Sequence, residues 1–145
     1  QFAGQSASAT IDKSDGGIGS IYFDYTITGT YPWRKTDNIV RLAPNRPNDR
    51  TSLFAALGLS GGQLPSNTAN WLSGNRVGTF AGQVNSGTLD TGDAVIEPGK
   101  TGRFYVALDA RSLTAGTYQE YFNVVADGFA WMRDIGVHLP VIVQE

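Results

Sequence analysis

The chain contains no cysteine, one histidine and one methionine in 145 residues. Without cysteine there is neither a disulfide framework nor a thiolate metal site, and either redox compartment remains open. Charge is sparse as well. Asp, Glu, Lys and Arg make up 17% of the residues and sum to a formal −2, against the roughly 25% charged content of ordinary globular domains. No global basic field is available to attract nucleic acid, which excludes it as a partner class. No apolar run approaches the roughly 20 residues of a membrane-spanning helix, so no transmembrane segment is expected. The sole methionine, Met132, lies far from Gln1. We therefore expect a leader peptide removed on secretion, and an extracellular or cell-surface location.

What fills the space left by charge is glycine, serine, threonine and asparagine, with 18 glycines and six prolines breaking the chain. That composition disfavours long helices. Alternation takes their place. Tyr118, Glu120, Phe122 and Val124 share one parity, and Ile135, Val137, Leu139, Val141 and Val143 another run of the same kind. A period of two marks strands with one face in a core. Residues 116–143 thus read as a closing strand pair, with Phe129 and Trp131 packing the link between them. Ile21, Phe23, Tyr25 and Ile27 line one face of an early strand, and Phe104, Val106 and Leu108 one face of a later one. Shorter strands are expected at 38–42, 77–84 and 94–96. Asn85-Ser86-Gly87 and Glu97-Pro98-Gly99-Lys100 are turns, the second with the Pro-Gly order of type II. Thr51–Leu59 is the one place where a single capped helical turn is expected. About eight or nine short strands with turns between them predict an all-β sandwich. It occupies one domain over 1–145, large enough to bury a core without staples.

Residues 1–12 are different. Phe2 and Ile11 are their only large apolar side chains, and Ala7, Ala9 and Ile11 alternate with serine and threonine. Such a segment makes a weak edge strand. A strand with so little to bury becomes well ordered by docking on a neighbouring subunit's sheet edge. We therefore expect 1–12 to be donated in that way, with Phe2, Ala7, Ala9 and Ile11 in the interface. Arg41, Arg46 and Arg50 cluster around a Pro/Asn-rich loop and are placed in the same interface; pairing with Asp49 or with an acidic neighbouring chain is one reading, and exposed arginines with no partner are the default.

Motifs for chemistry are thin. His138 sits in a strand opposite the core parity, and no Gly-x-Ser-x-Gly elbow accompanies it. No catalytic residue is assigned. Gly16-Gly17-Ile18-Gly19 precedes no helix that would bind phosphate and reads as a turn. Asp12, Ser14 and Asp15, and separately Asp90 and Asp93, offer oxygen ligands of the type that hold calcium. Neither set has the EF-hand spacing, and an Asx turn is the plainer reading. No cofactor is expected beyond that calcium option. Trp33, Trp71 and Trp131 are read as core or core-edge packing, with Trp131 the one that locks the sandwich; aromatic platforms for sugars are the alternative.

A set of ordered motifs adds a resemblance. These are Gly-Thr-x-Pro-Trp at 29–33, Val-Arg-Leu-Ala-Pro-x-x-Pro-x-Asp-Arg-x-Ser-x-Phe at 40–54, and Trp-Leu-x-x-Asn-Arg at 71–76. Glu-Pro-Gly-Lys-Thr-Gly-x-Phe follows at 97–104, and the run from Ala115 to Gly136 closes the series. Together they resemble the immunoglobulin-like modules of secreted cell-wall amidases and surface proteins of ultrasmall, candidate-phylum bacteria. More distantly, they are similar to the tryptophan-rich Ig-like domain of autophagy receptors. The resemblance covers about 20–143. It implies an Ig-like β-sandwich in an extracellular setting and no catalytic residues. Taken together, the expected function is that of a structural, non-enzymatic subunit. Its partners would be copies of itself, in a surface filament or similar layer built by strand addition. The alternative is a module that binds cell-wall glycans or other carbohydrate.

Overall fold

A computed structural model describes residues 1–145. Its twelve strands are β1 (Phe2–Gln5), β2 (Ala9–Asp12), β3 (Ile18–Thr26), β4 (Trp33–Arg34), β5 (Val40–Pro44), β6 (Gly82–Asn85), β7 (Thr88–Asp90), β8 (Val95–Ile96), β9 (Thr101–Asp109), β10 (Gly116–Ala126), β11 (Ala130–Trp131) and β12 (His138–Gln144). There is no α-helix, only single 3₁₀ turns at Lys13–Asp15 and Gly61–Gln63. Twelve exceeds the expected eight or nine because three of the strands are two-residue ladders and the N-terminal segment divides in two.

The strands form two large sheets and a small one. The first runs β1-β3-β9-β6-β7, antiparallel throughout. The second runs β11-β10-β12-β2, with β5 paired to the C-terminal half of β10. Within it only β12 and β2 pair in parallel. The third is the β4–β8 ladder, which sets Trp33 opposite Ile96. In β3 and β9 the alternation places Phe23 opposite Phe104 and Ile21 opposite Val106, all essentially buried. Across the core Phe23 meets Phe122 of β10, ring centroids 5.3 Å apart. Leu139, Val141 and Val143 of β12 complete that layer. Two sheets sharing one core is the sandwich arrangement that alternation predicts.

The turns obey their residue types. Ser86 and Gly87 both have positive φ between β6 and β7, as a two-residue hairpin turn of the primed kind requires. Gly99 has φ 83°, and the Lys100 N–H donates to the Glu97 carbonyl over 3.0 Å, matching the expected type II turn.

Several expectations need correction. Thr51–Leu59 is not helical. Ser52, Phe54 and Ala56 point in while Leu53 and Leu57 point out, so the segment is extended, and Ala55 bridges Leu108 on the β9 edge. The Phe54 N–H bonds to the Ser52 hydroxyl, a local bond that competes with the helical turn. The strand expected over 77–84 begins only at Gly82, because the chain at 77–78 is drawn to Leu42 instead. Phe129 does not pack the closing link. It sits at the β10–β11 hairpin tip and is 80% exposed. Ile135, at the start of the last run, is 60% exposed. Trp131 is only half-buried, whereas Trp33 and Trp71 are core residues. Trp71 is the locking one: its indole N–H donates to the Ala107 carbonyl over 2.8 Å, and its ring meets Phe122 edge-on.

Candidate interaction site

The N-terminal segment is two strands, not one, and each lies on a different sheet of its own chain. β1 pairs with β3, Phe2 opposite Tyr25 and Gln5 opposite Phe23. The chain then crosses, and β2 pairs with β12, Ala9 opposite Val141 and Ile11 opposite Val143. Ser6 makes the crossing hydrogen bonds: its N–H donates to the Tyr22 carbonyl and its hydroxyl accepts from the Tyr22 N–H. Phe2 is half-buried with its ring edge-on to Tyr25, centroids 5.7 Å apart. Ala7 is exposed at the crossing and Ala9 half-buried.

Ile11 alone is fully buried, seated where Gly19 leaves room. A methyl group on Gly19 would lie 2.7 and 2.9 Å from the Ile11 side chain. Burying one such side chain contributes about 1.5–3 kcal/mol, a modest anchor for twelve residues. Asp12 then caps the 3₁₀ turn, its carboxylate accepting from the Ser14 N–H and hydroxyl. That is an Asx turn, as is Asp90 accepting from the Gly92 N–H. No group of three or more His, Asp or Glu side chains comes together to hold a metal.

The three arginines each find a carboxylate within the chain. Arg41 reaches Asp127 at 3.0 Å, Arg46 reaches Asp134 at 3.0 Å, and Arg50 reaches Glu120 at 3.0 Å. Asp49, one partner open to them from the sequence, is taken instead by Arg76, which also binds Asp127. Arg46 lies over the Tyr121 ring and Arg76 over the Trp131 ring. The cluster therefore straps the 45–50 loop and the 127–136 segment to the outer face of the second sheet. Asp127 and Asp134 are held below the usual carboxylate range, first by the hydrogen bonds from Arg76 and Arg46 respectively.

Arg50 goes deeper. It donates to the carbonyls of Asn45 and Tyr121 as well as to Glu120, and Glu120 is 4% exposed with the Ser52 hydroxyl as a second donor. Glu120 was visible in the sequence as an acid on a core parity, between Tyr118 and Phe122. A buried carboxylate needs a partner, but nothing in the spacing names Arg50, 70 positions away.

A second surface was not foreseen. On the outer face of the first sheet Tyr22 and Tyr105 stand opposite each other, ring centroids 5.7 Å apart. The next pair along is Asp24 and Arg103, joined at 2.7 Å. The Arg103 guanidinium lies 3.6 Å from the Tyr22 ring centroid, so Tyr105 is the less covered ring. Tyr105 borders a groove of about 350 Å³ with Lys35, Asn38, Asn67 and Leu72. His138 is exposed; its Nδ1 lies 2.8 Å from the Gly136 carbonyl and its ring beside Tyr121. No protein-family model matches the chain, and no curated protein matches it.

Proposed function

We propose that this chain is a non-enzymatic, extracellular, immunoglobulin-like structural subunit. It self-assembles into a surface filament or similar layer by exchanging its N-terminal strands between copies. Two features support the Ig-like assignment. The sheet orders β1-β3-β9-β6 and β5-β10-β12 follow the ABED and CFG orders of Ig sandwiches, with the first strand continuing onto the opposite sheet as β2. Tyr118, near the start of β10, donates its hydroxyl to the Thr114 carbonyl over 2.8 Å, the tyrosine-corner contact expected at the start of strand F.

The observation that carries exchange is the division of residues 1–12 into two four-residue ladders. Each ladder occupies the terminal position of one sheet, and the only fully buried anchor among them is Ile11. A neighbouring copy offers the same two edges. Donating β1 and β2 in trans remakes every bond lost in cis, so the exchange is nearly neutral in contacts, as in domain swapping. The cysteine-free chain makes a clean test. Thr10 and Ile142 are register partners on adjacent strands, a separation a disulfide spans. Thr10→Cys with Ile142→Cys, oxidised after assembly, is expected to give a ladder of covalent oligomers on a non-reducing gel. Cross-linked monomer alone, at every protein concentration, overturns the proposal.

The Tyr22–Tyr105 pair beside a largely apolar groove that also carries Lys35, Asn38, Asn67 and Asn70 favours a second reading, a cell-wall or carbohydrate-binding module, because sugars stack on flat aromatic faces flanked by amides and charges. Pull-down on peptidoglycan that is lost with Tyr105→Ala would support it; no retention of the native chain would end it.

A further inference from the structure

A cleft of about 310 Å³ opens between β1, β3 and the segment that follows β11. Phe2, Met132 and Ile135 give it apolar walls, and Gln1, Tyr25, Thr28, Asn123 and Arg133 its polar groups. Tyr25 is 3% exposed and its hydroxyl has no hydrogen-bond partner, although buried phenols ordinarily find one. Asn123 has its amide committed: Nδ2 donates to the Met132 carbonyl and Oδ1 accepts from the Val124 N–H. Arg133 is the charged side chain among the cleft residues, beside the Gln1 ammonium, which donates to the Thr26 carbonyl. It is exposed and makes no ion pair, while its neighbour Asp134 is neutralised by Arg46. A tyrosine with an unsatisfied buried hydroxyl and an exposed, unpaired arginine thus line one space with apolar walls.

We infer that this cleft is a binding site for a carboxylate carried on a short apolar stem. The acid would accept from the Tyr25 hydroxyl and the Arg133 guanidinium while the stem lies against Phe2, Met132 and Ile135. The volume is about ten times the ~30 Å³ share of one water, which suits a ligand of roughly ten non-hydrogen atoms. Shallower grooves continue from both ends. One lies along Ile135 to His138 and the other along Thr28 to Trp33, so the acid can arrive either free or as the C-terminus of a peptide. The site does not depend on strand exchange, since the Phe2 of either copy closes it.

The test is titration of the full chain, followed by NMR, with 3-phenylpropionate, with its methyl ester, and with N-acetyl-Ala-Phe bearing a free or an amidated C-terminus. Saturable shifts of the Met132 methyl and the Ile135 and Arg133 amides by either free acid support the site, and the tighter of the two identifies the source. Tyr25→Phe removes a hydroxyl with no partner, and Arg133→Gln alters an exposed side chain, so both variants fold. Each is expected to weaken binding about tenfold, the scale of a hydrogen bond to a charged group. Failure of both acids to shift these residues at tens of millimolar overturns the assignment. So does equal binding of ester and acid, or undiminished binding by both variants. Oligomer formation is scored separately on the oxidised cysteine pair, so the failure of one proposal does not imply failure of the other.

Discussion

Replacing Arg50 with methionine would leave the Glu120 carboxylate in the core with Ser52 as its remaining donor. The pair is well buried, with side chains 20% and 6% exposed, and the guanidinium also holds two backbone carbonyls. Breaking such a pair from one side costs about 3–5 kcal/mol, because the surviving charge stays desolvated. The partial exposure of Arg50 puts the figure near the lower end, about 3 kcal/mol. At roughly 2.1 cal/mol/K per residue of unfolding entropy, a chain of this length loses about 10 °C in Tm. Glu120→Met should cost somewhat less, since a freed arginine can swing toward water. The double variant should recover much of the loss, because a buried ion pair and well-packed apolar replacements are often close in stability. Urea unfolding of the four proteins measures this directly, with the m-value checking that each remains two-state. If Arg50→Met costs under about 0.5 kcal/mol, or the two single losses simply add in the double variant, Glu120 is not a desolvated charge dependent on Arg50.

Acid should destabilise the fold through its strapped carboxylates. Asp109, Asp127 and Asp134 sit below the usual range, held first by bonds from Arg111, Arg76 and Arg46. A lowered folded pKa contributes stability that is present above the ordinary value of about 3.9 and lost as pH falls through the folded value. Tm should therefore drop below about pH 4, and Asp127→Asn should flatten that limb; an unchanged limb in calorimetry refutes the assignment. At the other extreme, burial first and the field of Asp134 second raise the Tyr25 phenol. Its contribution is complete below about pH 10 and is lost as pH climbs toward the folded value, so Tyr25→Phe should blunt alkaline unfolding followed by circular dichroism. Tyr118→Phe removes the bond to Thr114 and should cost about 1 kcal/mol in urea unfolding; a neutral result would deny the corner a structural role. Gly19→Ala crowds Ile11 and should cost about 1–3 kcal/mol, and limited proteolysis should then cut within residues 1–12 faster than in the native chain.

The long strands were legible because their burial is one-sided. In β3, β9, β10 and β12 one parity carries Phe, Ile, Leu and Val, and the structure buries that parity. The turns were legible because Gly87 and Gly99 occupy positions that need positive φ. Contacts that depend on which loop folds over which face were not legible. Trp71 stands in a polar run with no other aromatic near it, and Trp131 stands beside Phe129 and Met132, yet only Trp71 lies under the 54–56 segment, where its N–H finds Ala107 and its backbone finds Ala56. Phe129 looked like a link-packing residue because it follows a strand, but a hairpin tip offers nothing to pack against. The arginine partners were hidden for the same reason: Arg41 and Arg46 meet acids 86 and 88 positions away. The Tyr22–Tyr105 face was missed because both lie on the polar parity, where cross-strand register rather than composition makes the pair.

The weak patterning of the N-terminal segment has a physical reason under the exchange proposal. A strand that must leave one sheet edge and find another spends time unpaired, and an unpaired strand with a full apolar face invites indiscriminate edge-to-edge association. Alanine, serine and threonine keep that hazard low, while selectivity has to come from somewhere other than hydrophobic mass. Here it comes from shape. Ile11 fits the space beside Gly19, and Phe2 meets the Tyr25 ring edge-on, so a copy displaced by one residue would turn Ile11 outward to solvent. The same economy explains why the segment is split. Two short ladders on opposite sheets must both be in register for either to hold, which raises fidelity without lengthening any exposed strand. A segment selected in this way gives little signal of its own, and its partner surface carries the complementary one, a glycine at position 19 in a strand that otherwise points Ile21, Phe23 and Tyr25 toward the core.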